Sequence, residues 1–164
     1  MSVLPIVLWP DPRLAQACVP VGAVTPALRQ LAADMLETMY AAPGRGLAGP
    51  QVGAMQRIFV MDVTWKEGNP DPQVILNPEI EPLGDEVSCR AEGCLSIPGI
   101  LTDITRPARV RMRWSDLEGE AHEAVLQDFA ATCVQHETDH LDGIVTLMRL
   151  EPAARARADA EYGA

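Results

Sequence analysis

Apolar residues recur every three or four positions near the start of the chain, and this spacing predicts a helix over residues 26–40. Thr25 is a typical N-cap residue, and Pro26 is a typical first residue of a helix. The apolar positions on one face of this helix are Leu28, Leu31, Met35 and Met39. We expect these side chains to pack in a core rather than to bind a cofactor.

Four shorter segments have the apolar content, or the alternation of apolar and polar residues, that is typical of strands. They are residues 57–63, 74–76, 110–114 and 124–126. Gly119 is expected to turn the chain between the last two, which would then pair as neighbours. The segment 43–53 is rich in turn-forming residues and is predicted to be a loop around Gln51.

A second helix is predicted over residues 128–141, with Phe129 and Val134 facing the core and Gly143 beyond its end. Short strands around this inserted helix, together with the N-terminal helix, indicate an α+β fold. We expect its short, mostly antiparallel strands to pack around the central helix. A length of 164 residues suffices for a hydrophobic core, so we expect a single domain over residues 1–164.

The composition limits the class of protein. Apolar residues make up 48% of the chain and charged residues 22%, which argues against disorder. No apolar run has the length of a membrane span, the N-terminus has no signal segment, and a net charge of -10 argues against nucleic acid as a partner. Four cysteines without a dense disulfide framework suit a reducing compartment, so we expect a cytoplasmic protein.

The strongest chemical signal is the segment 136–140, in which two of the chain's three histidines stand four residues apart. On a helix His136 and His140 lie on one face, so both imidazoles can bind one metal ion. Glu137 would lie beside the metal, where it can accept a proton from an attacking water. The alternative is a helix face with two solvated or core histidines, because a pattern of five residues also occurs by chance.

A catalytic metal site of this kind needs a third protein ligand. A third histidine would fall at position 146, which is Thr146, and Glu161 has nearly the spacing of a downstream glutamate ligand but lies close to the chain end. A cysteine thiolate is the better candidate, and Cys94 stands in the distinctive sequence EGCLS. Cys133 is the rival, because it precedes His136 by three residues on one helix face. We prefer to place Cys133 in the pocket beside the metal.

Three segments, in this order, resemble the signature motifs of the peptide deformylase family: residues 44–53 (GRGLAGPQVG), 92–96 (EGCLS) and 136–141 (HETDHL). Residues 9–14 and 35–40 are also similar to that family, so the resemblance extends from about residue 4 to residue 150. Three motifs in the right order are far more specific than any one of them. The resemblance implies an α+β enzyme, a metal-dependent hydrolase that removes the N-formyl group from the N-terminal methionine of nascent and other peptides and releases formate.

The resemblance also implies the metal centre. Cys94, His136 and His140 would bind one divalent ion, which in family members is generally Fe2+. A thiolate with two imidazoles suits Zn2+, Ni2+ and Co2+ as well. The implied partner is an N-formylated peptide.

In the mechanism that the resemblance implies, Glu137 activates the attacking water and then protonates the leaving amine. The backbone N–H of Leu95 and the side-chain amide of Gln51 would stabilise the oxyanion together with the metal. Gly44 and Gly46 let a peptide strand approach closely because they have no side chains. Outside its motif, Gln51 would be taken for an ordinary loop glutamine.

Several residues depart from the family's usual pattern, and all of them concern the substrate groove or its support. Arg45 stands where a small aliphatic residue is usual, Arg90 where a smaller or apolar one is, and Thr132 borders a methionine pocket that is otherwise apolar. A basic residue that often binds the substrate backbone would fall near Leu101. The other departures are Gly49 and Met148. The substrate pocket is predicted to include Arg45, Gly46, Arg90, Thr132 and Cys133.

The arginines near the motifs have two interpretations each. Arg45 and Arg90 are either exposed at a rim or a basic pair that selects an acidic or otherwise polar acyl-peptide. Arg106 either pairs with Glu92 and braces the loop that carries Cys94, or is merely exposed.

A second function also fits the sequence, a deformylase-like protein that has an altered acyl-peptide specificity or binds peptides or metal with little turnover. Glu137 favours the enzyme, because a binding protein has no use for a carboxylate beside the metal. The tail from residue 149 onward has three basic and three acidic residues and is predicted to form a short helix. Longer family members dock on the ribosome with a basic C-terminal helix, so this balanced tail does not predict a ribosome contact.

Overall fold

A computed structural model describes residues 2–163 of the chain. Within that range the α-helices are α1 (Pro26–Ala41), α2 (Asp128–Leu141) and α3 (Pro152–Tyr162). The strands are β1 (Gly46–Ala48), β2 (Ile58–Met61), β3 (Gln73–Pro82), β4 (Val87–Cys94), β5 (Ile97–Pro107), β6 (Arg109–Ser115) and β7 (Ala121–Gln127). Short 3-10 segments occur at Pro12–Ala15, Gly49–Val52, Trp65–Glu67 and Thr146–Arg149.

Five of these strands form one antiparallel sheet, and the other two form a separate hairpin. The order in the sheet is β1-β2-β3-β6-β7, and the hairpin pairs β4 with β5. Helices and mostly antiparallel strands confirm the predicted α+β fold.

The second strand lies at the centre of the core because α1 and α2 pack on opposite faces of the sheet. Ile58 and Val60 belong to the apolar cluster that α1 covers, whereas Phe59 and Met61 belong to the cluster beneath α2. Successive side chains of a strand point to opposite faces, so a strand covered on both sides is buried at every position. This packing fixes α2 against the sheet.

Most of the predicted elements are present, although their boundaries shift by a few residues. The Thr25 hydroxyl caps α1 as predicted and accepts a hydrogen bond from the Leu28 N–H at 3.1 Å. The predicted second helix is α2, and Gly143 follows it with a φ of +76°. The predicted strands at 57–63, 110–114 and 124–126 correspond to β2, β6 and β7, the one at 74–76 is part of β3, and the predicted loop at 43–53 contains β1.

The hydrophobic pattern does not predict the β4–β5 hairpin. Every second residue near its centre is buried, as in any half-covered strand, but Glu92, Thr102 and Arg106 are polar. Hydrophobic periodicity detects a strand only where the buried face is apolar. The hairpin is missed because functional side chains occupy that face.

The prediction that Phe129 faces the core is wrong. Its side chain is 38% exposed and lines a cavity. Phe129 lies in the first turn of α2, on the helix face that it shares with Cys133 and His136. Val134, on another face, is fully buried as predicted.

The C-terminal tail forms the predicted short helix, α3, which packs beside the hairpin. Ala158 belongs to the apolar cluster that also contains Leu14 and Ile97. The Tyr162 hydroxyl donates to the Trp9 carbonyl oxygen at 2.8 Å and ties the tail to the N-terminal segment. Of the helices between residues 2 and 163, none is long and apolar enough to cross a membrane.

Tyr40 connects the end of α1 to the loop after β2. Its hydroxyl donates to the buried Asp62 carboxylate at 2.6 Å, and the Asp71 N–H donates to the same carboxylate at 3.0 Å. The Tyr40 ring also packs edge-on against Trp65, with 5.2 Å between ring centroids. Burial, followed by the hydrogen bond to Asp62, raises the pKa of Tyr40 from 10.0 to about 12.

We expect the Tyr40→Phe variant to lose about 1–2 kcal/mol of unfolding free energy near neutral pH, because Asp62 loses a donor. The pKa of Tyr40 is higher in the folded than in the unfolded chain, so its stabilising contribution is complete below pH 10.0 and is lost as the pH rises through about 12. Urea unfolding across this range should show the two proteins converging at high pH. Tyr162→Phe serves as the control, because it also loses a tyrosine hydroxyl and its hydrogen bond, to the Trp9 carbonyl oxygen, but keeps the contact between Tyr40 and Asp62. A difference that stays constant with pH would contradict the prediction.

Candidate metal centre and active site

The end of β4 and the middle of α2 bring one thiol and two imidazoles together. A ligand atom from each of Cys94, His136 and His140 lies within 4.8 Å of the others, and all three residues are buried. The Cys94 Sγ is 3.4 Å from the His140 Nε2. A thiolate with two imidazoles is a donor set for a transition-metal ion with a position left open. The chemistry and spacing of these donors therefore fit one divalent ion.

Glu92 fixes the orientation of His136. The Glu92 Oε1 is 3.0 Å from the His136 Nδ1, so Nδ1 carries the proton and Nε2 is left free for a metal. Burial opposes ionisation of Glu92, yet hydrogen bonds from Arg106 and His136 outweigh it and hold the pKa of Glu92 below its ordinary value. Glu92 is therefore a charged acceptor for the imidazole.

Arg106 extends this contact into a buried network. It binds the Glu92 carboxylate with two N–H groups at 2.7 and 2.9 Å and the Asp139 carboxylate with a third at 2.9 Å. Arg149 then donates to Asp139 at 2.6 and 3.0 Å. The predicted pairing of Arg106 with Glu92 is confirmed. Sequence reasoning missed Asp139, although it lies inside the histidine motif, and missed that Arg149 contacts it.

Glu137 lies beside the three potential ligands with its carboxylate buried. Its Oε1 has no hydrogen-bond partner within residues 2–163. Burial raises the pKa of Glu137 to about 7, and the nearby His136 works against this rise. A side chain at Gly46 would begin 2.5 Å from the Glu137 Oε2, so a larger residue there would displace the carboxylate. With a pKa of about 7, the Glu137 carboxyl group can accept or donate a proton at neutral pH.

Gln51 and Leu95 border the same space. The Gln51 Oε1 accepts from the Ala48 N–H at 3.0 Å, and its Nε2 donates to the Ser96 Oγ at 3.0 Å and points to the Cys94 Sγ at 3.6 Å. Leu95 follows Cys94 in the turn between β4 and β5. These contacts hold the Gln51 amide next to the thiol.

One cavity of about 770 Å³ contains most of the predicted pocket. Arg45, Gly46, Thr132 and Cys133 line it, together with Gln51, Cys94, Leu95, His136 and Glu137. Arg90 does not line it, because its side chain extends toward the start of α2, where its guanidinium lies 3.7 Å from the Asp128 carboxylate. Lys66 and Phe129 also line this cavity, and neither was predicted to. Lys66 lies in none of the sequence motifs, and Phe129 was predicted to face the core.

The structure explains one departure from the family pattern, Gly49. A Cβ at this position would lie 2.5 Å from the Ala54 carbonyl oxygen and 2.9 Å from that of Gln56. The backbone of residues 54–56 therefore leaves no room for a side chain at position 49.

We expect the Arg106→Ala variant to lose about 3–5 kcal/mol of stability, because the buried Glu92 would lose its guanidinium and Asp139 would lose one of its two. Without Arg106, Glu92 would no longer hold His136 in its orientation, so metal binding should also weaken by about 10–100-fold. Thermal melting and metal content of the purified variant test this. Arg149→Ala, at the exposed end of the network, should show a smaller loss, and Arg111→Ala, whose ion pairs are exposed, almost none. Unchanged melting and metal content in Arg106→Ala would show that the network does not brace the site.

Comparison with known proteins identifies the family. A family model described as polypeptide deformylase matches residues 3–156. The peptide deformylase of Rhodopseudomonas palustris (strain BisB5) is 46% identical over 158 residues, which span 95% of this chain and 90% of that protein. That of Acinetobacter baumannii (strain SDF) is 46% identical over 96% of this chain and 88% of its own length.

Solved structures agree with these relatives. The crystal structure of peptide deformylase from Ehrlichia chaffeensis, in complex with actinonin, is 41% identical and has a TM-score of 0.91. The match covers 98% of this chain and 96% of that one. The peptide deformylase from Thermotoga maritima has a TM-score of 0.86 at 39% identity, covering 93% of this chain and 100% of that chain. The family match over most of its length, together with these identities and the common fold, shows that the chain belongs to the polypeptide deformylase family.

Proposed function

We propose that this chain, as one catalytic domain, is a peptide deformylase, which hydrolyses the formyl amide at the N-terminal methionine of nascent and other peptides and releases formate. The observation that carries the proposal is the buried Glu137 carboxylate beside Cys94, His136 and His140, at the base of an open cavity. A metal-binding or peptide-binding protein would gain nothing from this buried acid. Membership of the family supports the same reaction.

In this proposal Cys94, His136 and His140 hold one divalent ion, with Fe2+ as the native metal. Zn2+, Ni2+ and Co2+ suit the same donors, and the metal available often decides which one is bound. When bound, such an ion polarises a carbonyl oxygen and makes a water acidic near neutral pH. The His136 Nδ1–H donates to the Glu92 Oε1, 3.0 Å away, and this contact leaves the His136 Nε2 free for the metal.

The other residues of the site would transfer the proton, stabilise the developing negative charge and leave space for the peptide. Glu137 accepts a proton from the water that attacks the formyl carbon, and it returns that proton to the amine nitrogen as the C–N bond breaks. The Gln51 Nε2 and the Leu95 N–H donate to the oxygen on which negative charge develops. Gly46 and Gly44 leave room for the peptide, because a side chain at either position would meet Glu137 or Leu95 within 2.9 Å.

We expect the protein to act in the cytoplasm. The tail gives no support for docking on the ribosome, since its acidic and basic residues balance and Arg155 lies 3.5 Å from Asp159 within α3. The alternative function, altered acyl-peptide specificity with the same chemistry, is favoured by Arg45 and Thr132 on the cavity wall.

Turnover of a formyl-methionyl peptide tests the function directly. Protein loaded anaerobically with Fe2+ should release formate, and the Glu137→Gln variant should be at least about 100-fold slower because general acid–base catalysis is lost. Its metal content should stay unchanged, since Glu137 is not a ligand. No formate release by fully loaded wild-type protein would refute the proposed reaction.

The cysteine ligand can be tested against its rival in the same cavity. Loss of a residue that hydrogen-bonds to a metal ligand weakens metal binding by about 10–100-fold. Cys94→Ala removes a ligand itself, so we expect a larger loss of metal affinity. Cys133→Ala is the matched control, because this second buried thiol points to the Arg45 carbonyl oxygen, 3.8 Å away. With Co2+ as the probe, the thiolate absorption band should disappear in Cys94→Ala and persist in Cys133→Ala. The opposite result would exchange the two assignments.

A further inference from the structure

Two cationic side chains line the outer part of the active-site cavity. They are Arg45, on the wall that precedes β1, and Lys66, which is the only lysine of the chain. The protein as a whole has a formal charge of -10, and the carboxylates that line this cavity, Glu92 and Glu137, are buried, whereas Lys66 is exposed. Arg90, which the sequence suggested as the partner of Arg45, does not line the cavity.

Arg45 is held in place but keeps unused hydrogen-bond donors. Its guanidinium carbon lies 5.1 Å from the centroid of the Phe129 ring, and its Nη2 donates to the Glu67 Oε1 at 2.8 Å. Its Nε is buried and has no hydrogen-bond partner within the described part of the chain. The contacts with Phe129 and Glu67 position the guanidinium on the cavity wall.

Lys66 is fixed to the same wall through its neighbour. The Trp65 Nε1 donates to the Gly44 carbonyl oxygen at 2.9 Å, and the Lys66 Nζ lies 5.7 Å from the centroid of the Trp65 ring. Lys66 makes no ion pair with any residue between 2 and 163. Glu67 therefore balances only one of the two cations, and the rim keeps one positive charge.

The order of residues along this wall gives the direction of the substrate. Gly46 lies against Glu137, Arg45 comes next, and Gly44 contacts Trp65 beside Lys66. A peptide whose formyl group lies at Glu137 would thus bring the residues after its methionine to Arg45 and Lys66. We propose that Arg45 and Lys66 select formyl-methionyl peptides that carry an acidic side chain at the second or third position. This inference rests on the proposed function.

Competing peptides test the selectivity. In two series, formyl-Met-X-Ala and formyl-Met-Ala-X with X as Glu, Gln or Lys, we expect kcat/KM to fall in that order in at least one series. From the strength of exposed ion pairs, we expect kcat/KM for the Glu peptide to exceed that for the Gln peptide by about three- to fivefold. The ratio should shrink in high salt, because the Debye length falls from about 10 Å at 0.1 M to about 3 Å at 1 M.

Three variants separate the rim charges from general effects. Lys66→Gln should bring the Glu-to-Gln ratio in the responsive series close to one, whereas Glu67→Gln should increase it by removing the competing carboxylate. Arg29→Gln removes one exposed positive charge from α1, where Arg29 pairs with Glu118, and should leave the ratio unchanged. Opposite shifts in Lys66→Gln and Glu67→Gln cannot result from loss of folding.

The outcomes distinguish this inference from the proposed function. Equal kcat/KM for the Glu, Gln and Lys peptides in both series, with formate released from all of them, would overturn the selectivity and leave the deformylase intact. A ratio that is the same in Lys66→Gln as in the wild type would also overturn it. No release from any peptide by metal-loaded protein would refute the proposed function and the inference with it.

Discussion

Arg106 and Glu92 come from the two strands of the β4–β5 hairpin and are both buried where the hairpin packs on α2. A buried charge without a partner costs several kcal/mol, so these side chains are tolerated only if every contact forms together. Glu92 reaches His136 and Arg106 reaches Asp139, which are both on α2. The network therefore holds the hairpin and the helix in one relative position, and that position brings Cys94 to the two histidines.

The base of the cavity and its rim are subject to different constraints. At the base, Glu137 is buried against Gly46, and a larger residue there would displace the carboxylate. At the rim, Arg45 is partly exposed and Lys66 is exposed, so the charge there can change without disturbing the buried acid. In the function and the selectivity proposed above, chemistry and selectivity would thus belong to separate parts of one cavity. This separation explains how a chain can keep the family's reacting groups and still differ in its substrate groove.

Hydrophobic spacing correctly predicts elements whose buried side chains are mostly apolar, such as α1 and β2. The helix that begins after Thr25 and the strand around Phe59 follow the expected spacing, because their side chains are buried for hydrophobic reasons. The β4–β5 hairpin lacks that signal, since Glu92 and Arg106 are buried by mutual pairing rather than by hydrophobicity. The error at Phe129 is of the opposite kind. An aromatic residue on a helix suggests a core position, but Phe129 lines the cavity.

The sequence by itself determined the metal-binding chemistry, because two histidines at helical spacing share one face wherever the helix lies. It also supplied Glu137 and, through the motif around it, Cys94 in preference to Cys133. Only the tertiary structure decided which charged residues meet. It decided that Arg106 is paired rather than exposed and gave it Asp139 as a second partner, and it placed Lys66 rather than Arg90 on the cavity. These contacts join residues that are far apart along the chain, and no local pattern of spacing or polarity records which distant side chains will be neighbours.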